Sequence, residues 1–142
     1  MVGNIEWLNL PWPPESFDCI VCADVLEHTV DPWAVVGRLK RLLRPGGCLV
    51  ASLPNVAHHR NLRRLLRGRW DYADEGVLAR THLRFFTLPT IEDLFARNGM
   101  RIESVARRLD AGVRIRLLNA LLLGALRHTL NLQFIVRTRV TE

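Results

Sequence analysis

The sequence predicts an α/β domain with parallel strands at its centre, and three stretches carry that prediction. The run Phe17-Asp18-Cys19-Ile20-Val21-Cys22-Ala23-Asp24-Val25-Leu26-Glu27-His28 is apolar at its centre and stops abruptly at acidic residues and a histidine. Asp31 to Arg44 then places apolar residues at helical spacing, and Cys48 to Leu53 is a second short apolar run. Strand, helix, strand in that order is the pattern of a parallel crossover unit.

Cys19 to Ala23 has no polar interruption, is rich in short and β-branched side chains and is too short for a buried helix, which suits a central strand covered on both faces. Ligands in open α/β sheets bind beyond the carboxyl ends of the strands, so Asp24, Glu27 and His28 fall where chemistry sits. Asp31 is placed as an N-cap with Pro32 in the first turn, and Ala34, Val35, Leu39, Leu42 and Leu43 recur at helical spacing up to Arg44-Pro45-Gly46. The second strand, Cys48 to Leu53, ends at Pro54-Asn55, again at the ligand end. Before all this, residues 1 to 16 form an entry segment. Pro11, Pro13 and Pro14 forbid a regular helix there, and Trp7 and Trp12 offer apolar anchors.

From His58 the pattern changes. Leu62, Leu65 and Leu66 are apolar, while His59, Arg60, Arg63, Arg64, Arg67 and Arg69 make a basic helical face, open to solvation or to a phosphate-bearing ligand that arginine's fork would suit. Trp70 to Gly76 lacks periodicity and mixes aromatic with acidic residues, as a substrate loop would; Trp70, Tyr72 and Arg84 are its candidate substrate contacts. Thr87 or Thr90 can cap a helix carrying Ile91, Leu94 and Phe95 that stops at Asn98-Gly99. Ile102 to Leu109 is then a strand, residues 113 to 130 a helix apolar around most of its circumference, and Asn131 to Thr141 a final strand. The apolar core of that helix is too short to span a bilayer, which needs about 20 residues. A soluble helix of such character is expected to be covered by core or partner packing.

The composition fits one domain: 142 residues, 49% hydrophobic. The net charge of +6 comes from 19 arginines and the single Lys40 against 14 acids. Net charge speaks to association and solubility rather than to fold. Cys19 and Cys22 are spaced like a metal or redox pair, but strand positions three apart face opposite ways, so no metal site is read from them. All three cysteines, with Cys48, are expected to be buried structural thiols of a reducing, cytoplasmic protein.

FDCIVCADVLEH, the helix over DPWAVVGRLKRLLR and the following PGGCLVASLPN resemble the fourth and fifth strands of class I S-adenosylmethionine-dependent methyltransferases. Asn4-Ile5-Glu6 resembles the adenine-contacting segment of that family, with Asn4 where aspartate is common, and Gln133 to Arg137 resembles its last, antiparallel strand. The resemblance implies a three-layer, Rossmann-like sheet, parallel in its centre with an antiparallel C-terminal strand. It is incomplete here, because the strand, glycine-rich turn and ribose-binding acid that open the family's domain are not found in the sequence. The only adjacent glycines, Gly46-Gly47, follow a helix and precede a strand, the reverse of a cofactor loop. Residues 1–142 are therefore read as a single partial methyltransferase domain.

By the same resemblance the cofactor is S-adenosylmethionine, facing Asn4, Ile5, Ala23, Asp24 and Leu26, with weak or no binding expected of this chain alone. The chemistry implied is displacement at the sulfonium methyl carbon by a small, oxygen-bearing acceptor. The run Arg80 to Thr87 resembles a segment seen in a subset of these methyltransferases, near those often associated with sugar or cell-envelope pathways, which puts sugar-related compounds among the small oxygen-bearing acceptors to consider. A histidine titrates near neutrality and can take the acceptor's proton, so His28 and His82 are the candidate bases. The alternative is a non-catalytic binding or assembly module that uses its basic helix to hold an anionic partner. No nucleic-acid partner is expected. The outer edge of the Phe17 to Ala23 strand, left without the family's neighbouring strand, is expected to pair with a second copy or another chain.

Overall fold

Strand β1 (Phe17–Ala23) lies parallel to β2 (Leu43–Pro54), and β2 pairs on its other side, antiparallel, with β4 (Asn131–Val140). Beyond β4 lies β3 (Met100–Leu109), also antiparallel, giving the spatial order β1-β2-β4-β3. These elements come from a computed structural model that describes residues 3–141; Met1 and Val2 of the entry segment, and Glu142, lie outside the described residues. A 3-10 turn over Leu26–His28 joins β1 to helix α1 (Pro32–Leu42). Three further helices are α2 (His59–Leu65), α3 (Leu88–Arg97) and α4 (Val113–Leu121).

The local signals act as their chemistry requires. Asp31 Oδ1 accepts from Ala34 N–H at 3.0 Å, with Pro32 in the first turn of α1. Thr87 precedes α3, and its N–H donates to Thr90 Oγ1 at 2.8 Å, closing a capping box of two threonines. Past the end of α3, Gly99 has φ of 62°, which a residue without Cβ adopts freely.

The core lies on one face of the sheet. Leu49, Ala51 and Leu53 of β2 and Phe134 and Val136 of β4 meet Val35, Val36 and Leu39 of α1 and Ile91, Leu94 and Phe95 of α3. Period-two alternation sends their neighbours to the opposite face. There Val21, Val50 and Arg137 pair across β1, β2 and β4, as do Ala23, Ser52 and Ile135. Val21 is 66% exposed and Ile135 42%, so this second face has little cover. Among the described residues β1 is an edge strand, with the open outer edge that was expected. It is not the centrally placed strand covered on both faces that its apolar run suggested, because only its Cys22 side meets the core.

Several sequence expectations need correction. The helix expected over 113 to 130 stops at Leu121, because the chain enters left-handed backbone at Leu123 (φ 50°) and Gly124 (φ 83°) before a 3-10 turn at Arg127–Leu130. Its leucines are not covered either: Leu121 is 80% exposed and Leu123 97%. The basic helix ends at Leu65, leaving Arg67 and Arg69 beyond it, and Leu66 is fully in solvent. Strand β2 begins at Leu43, not Cys48. Its first residues bulge, pairing Phe17 with Leu43 and then Cys19 with Cys48, so Gly46-Gly47 lie inside an irregular strand. Any Cβ on Gly47 would meet the Arg44 carbonyl oxygen at 2.9 Å, which explains the second glycine. Cys19 is exposed on the open face, whereas Cys22 and Cys48 are buried.

The entry segment is held by a cation rather than by its tryptophans. Arg38 of α1 donates to the carbonyl oxygens of Ile5 (2.9 Å), Glu6 and Leu8. Trp7 is exposed, and Trp12 meets Phe17 edge-on at 5.4 Å. No helix among the described residues is long and apolar enough to cross a membrane.

Candidate functional site

The carboxyl ends of β1 and β2 and the start of β4 meet at Asp24. Its backbone is left-handed, with φ of 51°, a strained conformation for a residue with a side chain. Three hydrogen bonds hold it there: its N–H donates to Ser52 Oγ at 3.0 Å, and Oδ1 accepts from Ser52 Oγ at 3.0 Å and from Gln133 Nε2 at 2.6 Å. One carboxylate thus ties three strand ends together.

The 3-10 turn that follows puts Glu27 inward and His28 outward. Glu27 is 1% exposed, and its Oε2 has no hydrogen-bond partner among the described residues. Burial pushes the Glu27 carboxyl up to about 7, and the nearby Asp24 adds to the rise. Burial likewise pushes the Cys22 thiol up to about 11, leaving it inert at neutral pH.

A distant segment docks on this turn through backbone bonds. The Glu27 carbonyl oxygen accepts from Leu83 N–H (2.8 Å) and Arg84 N–H (3.0 Å). The Thr81 carbonyl accepts from His28 Nδ1 at 2.9 Å, and the Val77 carbonyl from His82 Nδ1 at 3.0 Å. A carbonyl oxygen can only accept, so both rings carry a proton on Nδ1 and keep Nε2 for other work. The two rings meet edge to face with centroids 4.8 Å apart.

Asp24, Glu27, His28 and His82 line one cleft of about 390 Å³, together with Asp74, Glu75, Arg108 and Gln133. The structure therefore brings together His28, His82 and Asp24. Leu26 has 0% exposure and faces the core, so its side chain does not reach the cleft. Ala23 lies on the open face beside Ser52. Asn4 and Ile5 sit beside α1, where Asn4 Oδ1 accepts from Glu6 N–H at 2.8 Å and forms a local turn. Trp70 packs edge-on to Phe85 at 5.3 Å, Tyr72 is half exposed, and Arg84 is exposed; none of the three lines the cleft. The loop expected to meet substrate, Trp70 to Gly76, does reach the cleft, but through Asp74 and Glu75 rather than its aromatics. The sequence reading missed Arg108 and Gln133 in the cleft and Ser52, which holds Asp24 beside it. Only Ser52 and Gln133 carried a signal, as polar residues at the ends of apolar strands.

A family profile described as a methyltransferase domain matches residues 5–105. The ubiquinone biosynthesis O-methyltransferase of Xanthomonas campestris pv. campestris is 45% identical over 42 residues, which is 30% of this chain and 18% of that protein. The chain thus matches less than a fifth of that curated relative's length. A solved S-adenosylmethionine-dependent methyltransferase from Methanosarcina mazei superposes with a TM-score of 0.65 at 16% identity, over 99% of this chain and 66% of that one. The 1,6-didemethyltoxoflavin N1-methyltransferase of Burkholderia thailandensis, solved with bound 1,6-didemethyltoxoflavin and S-adenosylhomocysteine, gives 0.57 at 14% identity over 97% and 48%. Those structural likenesses establish a shared Rossmann-like fold.

Proposed function

We propose, from the premise that this chain belongs to the class I S-adenosylmethionine-dependent methyltransferases, that it forms the acceptor side of an O-methyltransferase acting on a small hydroxyl compound, with sugar-related acceptors the first to test. The observation that carries the reading is the pair His28 and His82. Both have their Nδ1 protons committed to backbone carbonyls, leaving Nε2 of each without a hydrogen bond among the described residues, in a ring that lines the cleft beyond the strand ends. The O-methyltransferase name of the Xanthomonas relative supports oxygen as the acceptor atom.

When bound, S-adenosylmethionine supplies an electrophilic methyl group on a sulfonium. The chain's part is to hold the acceptor oxygen opposite the leaving sulfur and to take its proton as the oxygen–carbon bond forms and the carbon–sulfur bond breaks. Nε2 of either histidine has the lone pair for that proton. Asp24, fixed by Ser52 and Gln133, offers an acceptor for a second hydroxyl. Positioning of this kind lowers barriers by several kcal/mol.

In the full-length native enzyme, His82→Ala is expected to lower turnover by roughly 10²-fold or more, the usual size of a general-base contribution. The melting temperature should move little, since the ring's one recorded hydrogen bond is to Val77. A variant that melts early yet keeps full activity per folded molecule would make His82 structural.

The free edge of β1 supports a second part of the proposal, that a further copy of the chain pairs there. Val21 is exposed beside that edge, and apolar surface returns about 25 cal/mol per Å² when reburied. Light scattering across a hundredfold concentration range should show growing mass; a compact monomer throughout would overturn the idea. Three free cysteines, two of them buried, support a reducing, cytoplasmic setting.

A further inference from the structure

We propose that Glu27, His28 and His82 form a binding site for a divalent first-row transition-metal ion, with zinc as its first probe. Each offers a ligand atom, and the three atoms lie within 4.8 Å of one another. Ligands around a tetrahedral or octahedral ion with bonds near 2.1 Å stand roughly 3.0 to 3.4 Å apart, so a swing of about an ångström closes the set. Two imidazoles and one carboxylate suit zinc, manganese or ferrous iron, and they suit magnesium or calcium poorly because those prefer oxygen donors.

Two features beyond proximity point to a cation. The first is the orphaned Glu27 Oε2, buried with no partner among the described residues. Leaving such an acceptor unmet is costly, and a cation between it and the imidazoles would satisfy it. The second is the way the histidines are held. Metal-bound histidines commonly donate their other ring N–H to a backbone carbonyl, which fixes tautomer and ring direction. Both rings already do so, to Thr81 and Val77, at 2.9 and 3.0 Å. The rest of the cleft agrees: in a chain of net charge +6, Asp24, Asp74 and Glu75 line it, with Arg108 the only arginine or lysine there among the described residues.

The proposal rests on the methyl-transfer reading of the cleft and refines it. Three protein ligands leave coordination positions open, where an acceptor hydroxyl could be polarised and its proton made easier to lose. The histidine nitrogens then act as ligands, and the hydroxyl's proton passes to the Asp24 carboxylate in the same cleft as the oxygen–carbon bond forms and the carbon–sulfur bond breaks.

The test starts from the chelator-treated 142-residue chain and zinc alone, so that it does not depend on cofactor or acceptor. Calorimetric titration is expected to give one site per chain with micromolar or tighter affinity. Glu27→Gln and His82→Gln should each weaken it by about a hundredfold or more, and His128→Gln, outside the cleft, should leave it unchanged. Circular dichroism and melting curves of the same variants show whether they are folded, and Glu27→Gln removes a buried charge, so it is expected to fold at least as well as the parent. No saturable binding, or binding that survives in Glu27→Gln, would overturn the site. A chain that binds zinc in this way, while the full-length enzyme methylates no hydroxyl acceptor, would keep the site and sink the methyl-transfer reading. Full activity after chelation, with no zinc bound, would do the opposite.

Discussion

Replacing Glu27 with glutamine is expected to make the metal-free chain more stable at pH 8 by up to about 3 kcal/mol while removing its zinc site. The carboxyl sits near 7 in the folded chain, against 4.5 for a free one. Below about pH 4.5 it is neutral folded or unfolded, and its favourable contribution is fully present. As pH rises, the unfolded chain releases the proton first while the folded chain keeps it, so stability falls until the folded group also ionises near 7. Each tenfold in proton affinity is about 1.4 kcal/mol, which sets the upper limit quoted. Glutamine stays neutral throughout, so the variant should lose this slope and differ little from the parent at pH 4. Urea denaturation at pH 4, 6 and 8 in the presence of chelator measures it, and parallel pH profiles for the two chains would mean that water already solvates the carboxylate. A bound cation would reverse the sign, since it favours the ionised carboxylate: zinc should stabilise the parent and leave Glu27→Gln alone.

Truncating Phe95 to alanine is expected to cost about 3 to 5 kcal/mol, enough to unfold much of a domain whose whole stability is of that order. The ring is fully buried between α3 and the sheet, beside Leu94 and Ile91, each at 0% exposure. Ile135→Thr on the opposite face should stay within about 0.5 kcal/mol, because that side chain is already 42% exposed. Chemical denaturation of both variants at neutral pH compares the faces directly. Equal costs would show that the second face is covered in solution, by a second copy or otherwise, and would connect with the mass measured by light scattering.

Where a segment's fate depends on its own residues, the sequence was sufficient. Phe17 to Ala23 is a strand because short, β-branched and apolar side chains leave it no other stable arrangement next to a sheet. Asp31-Pro32 starts α1, and Asn98-Gly99 ends α3, through caps that act within a few residues. The family resemblance around Asp24 implied parallel central strands with an antiparallel C-terminal strand, and His28 and His82 stood out as titratable groups beside strand ends. What only the tertiary structure decided depends on residues far apart in the chain. Nothing local says that Arg38 will hold the carbonyls of residues 5, 6 and 8, that Cys19 will face an uncovered side of the sheet, or that the leucines after Leu121 will stay in solvent. The cleft is the clearest case. Leu83 and Arg84 give their N–H groups to the carbonyl of Glu27, and that long-range backbone pairing carries His82 to His28, close to a buried carboxylate oxygen that has no hydrogen-bond partner among the described residues.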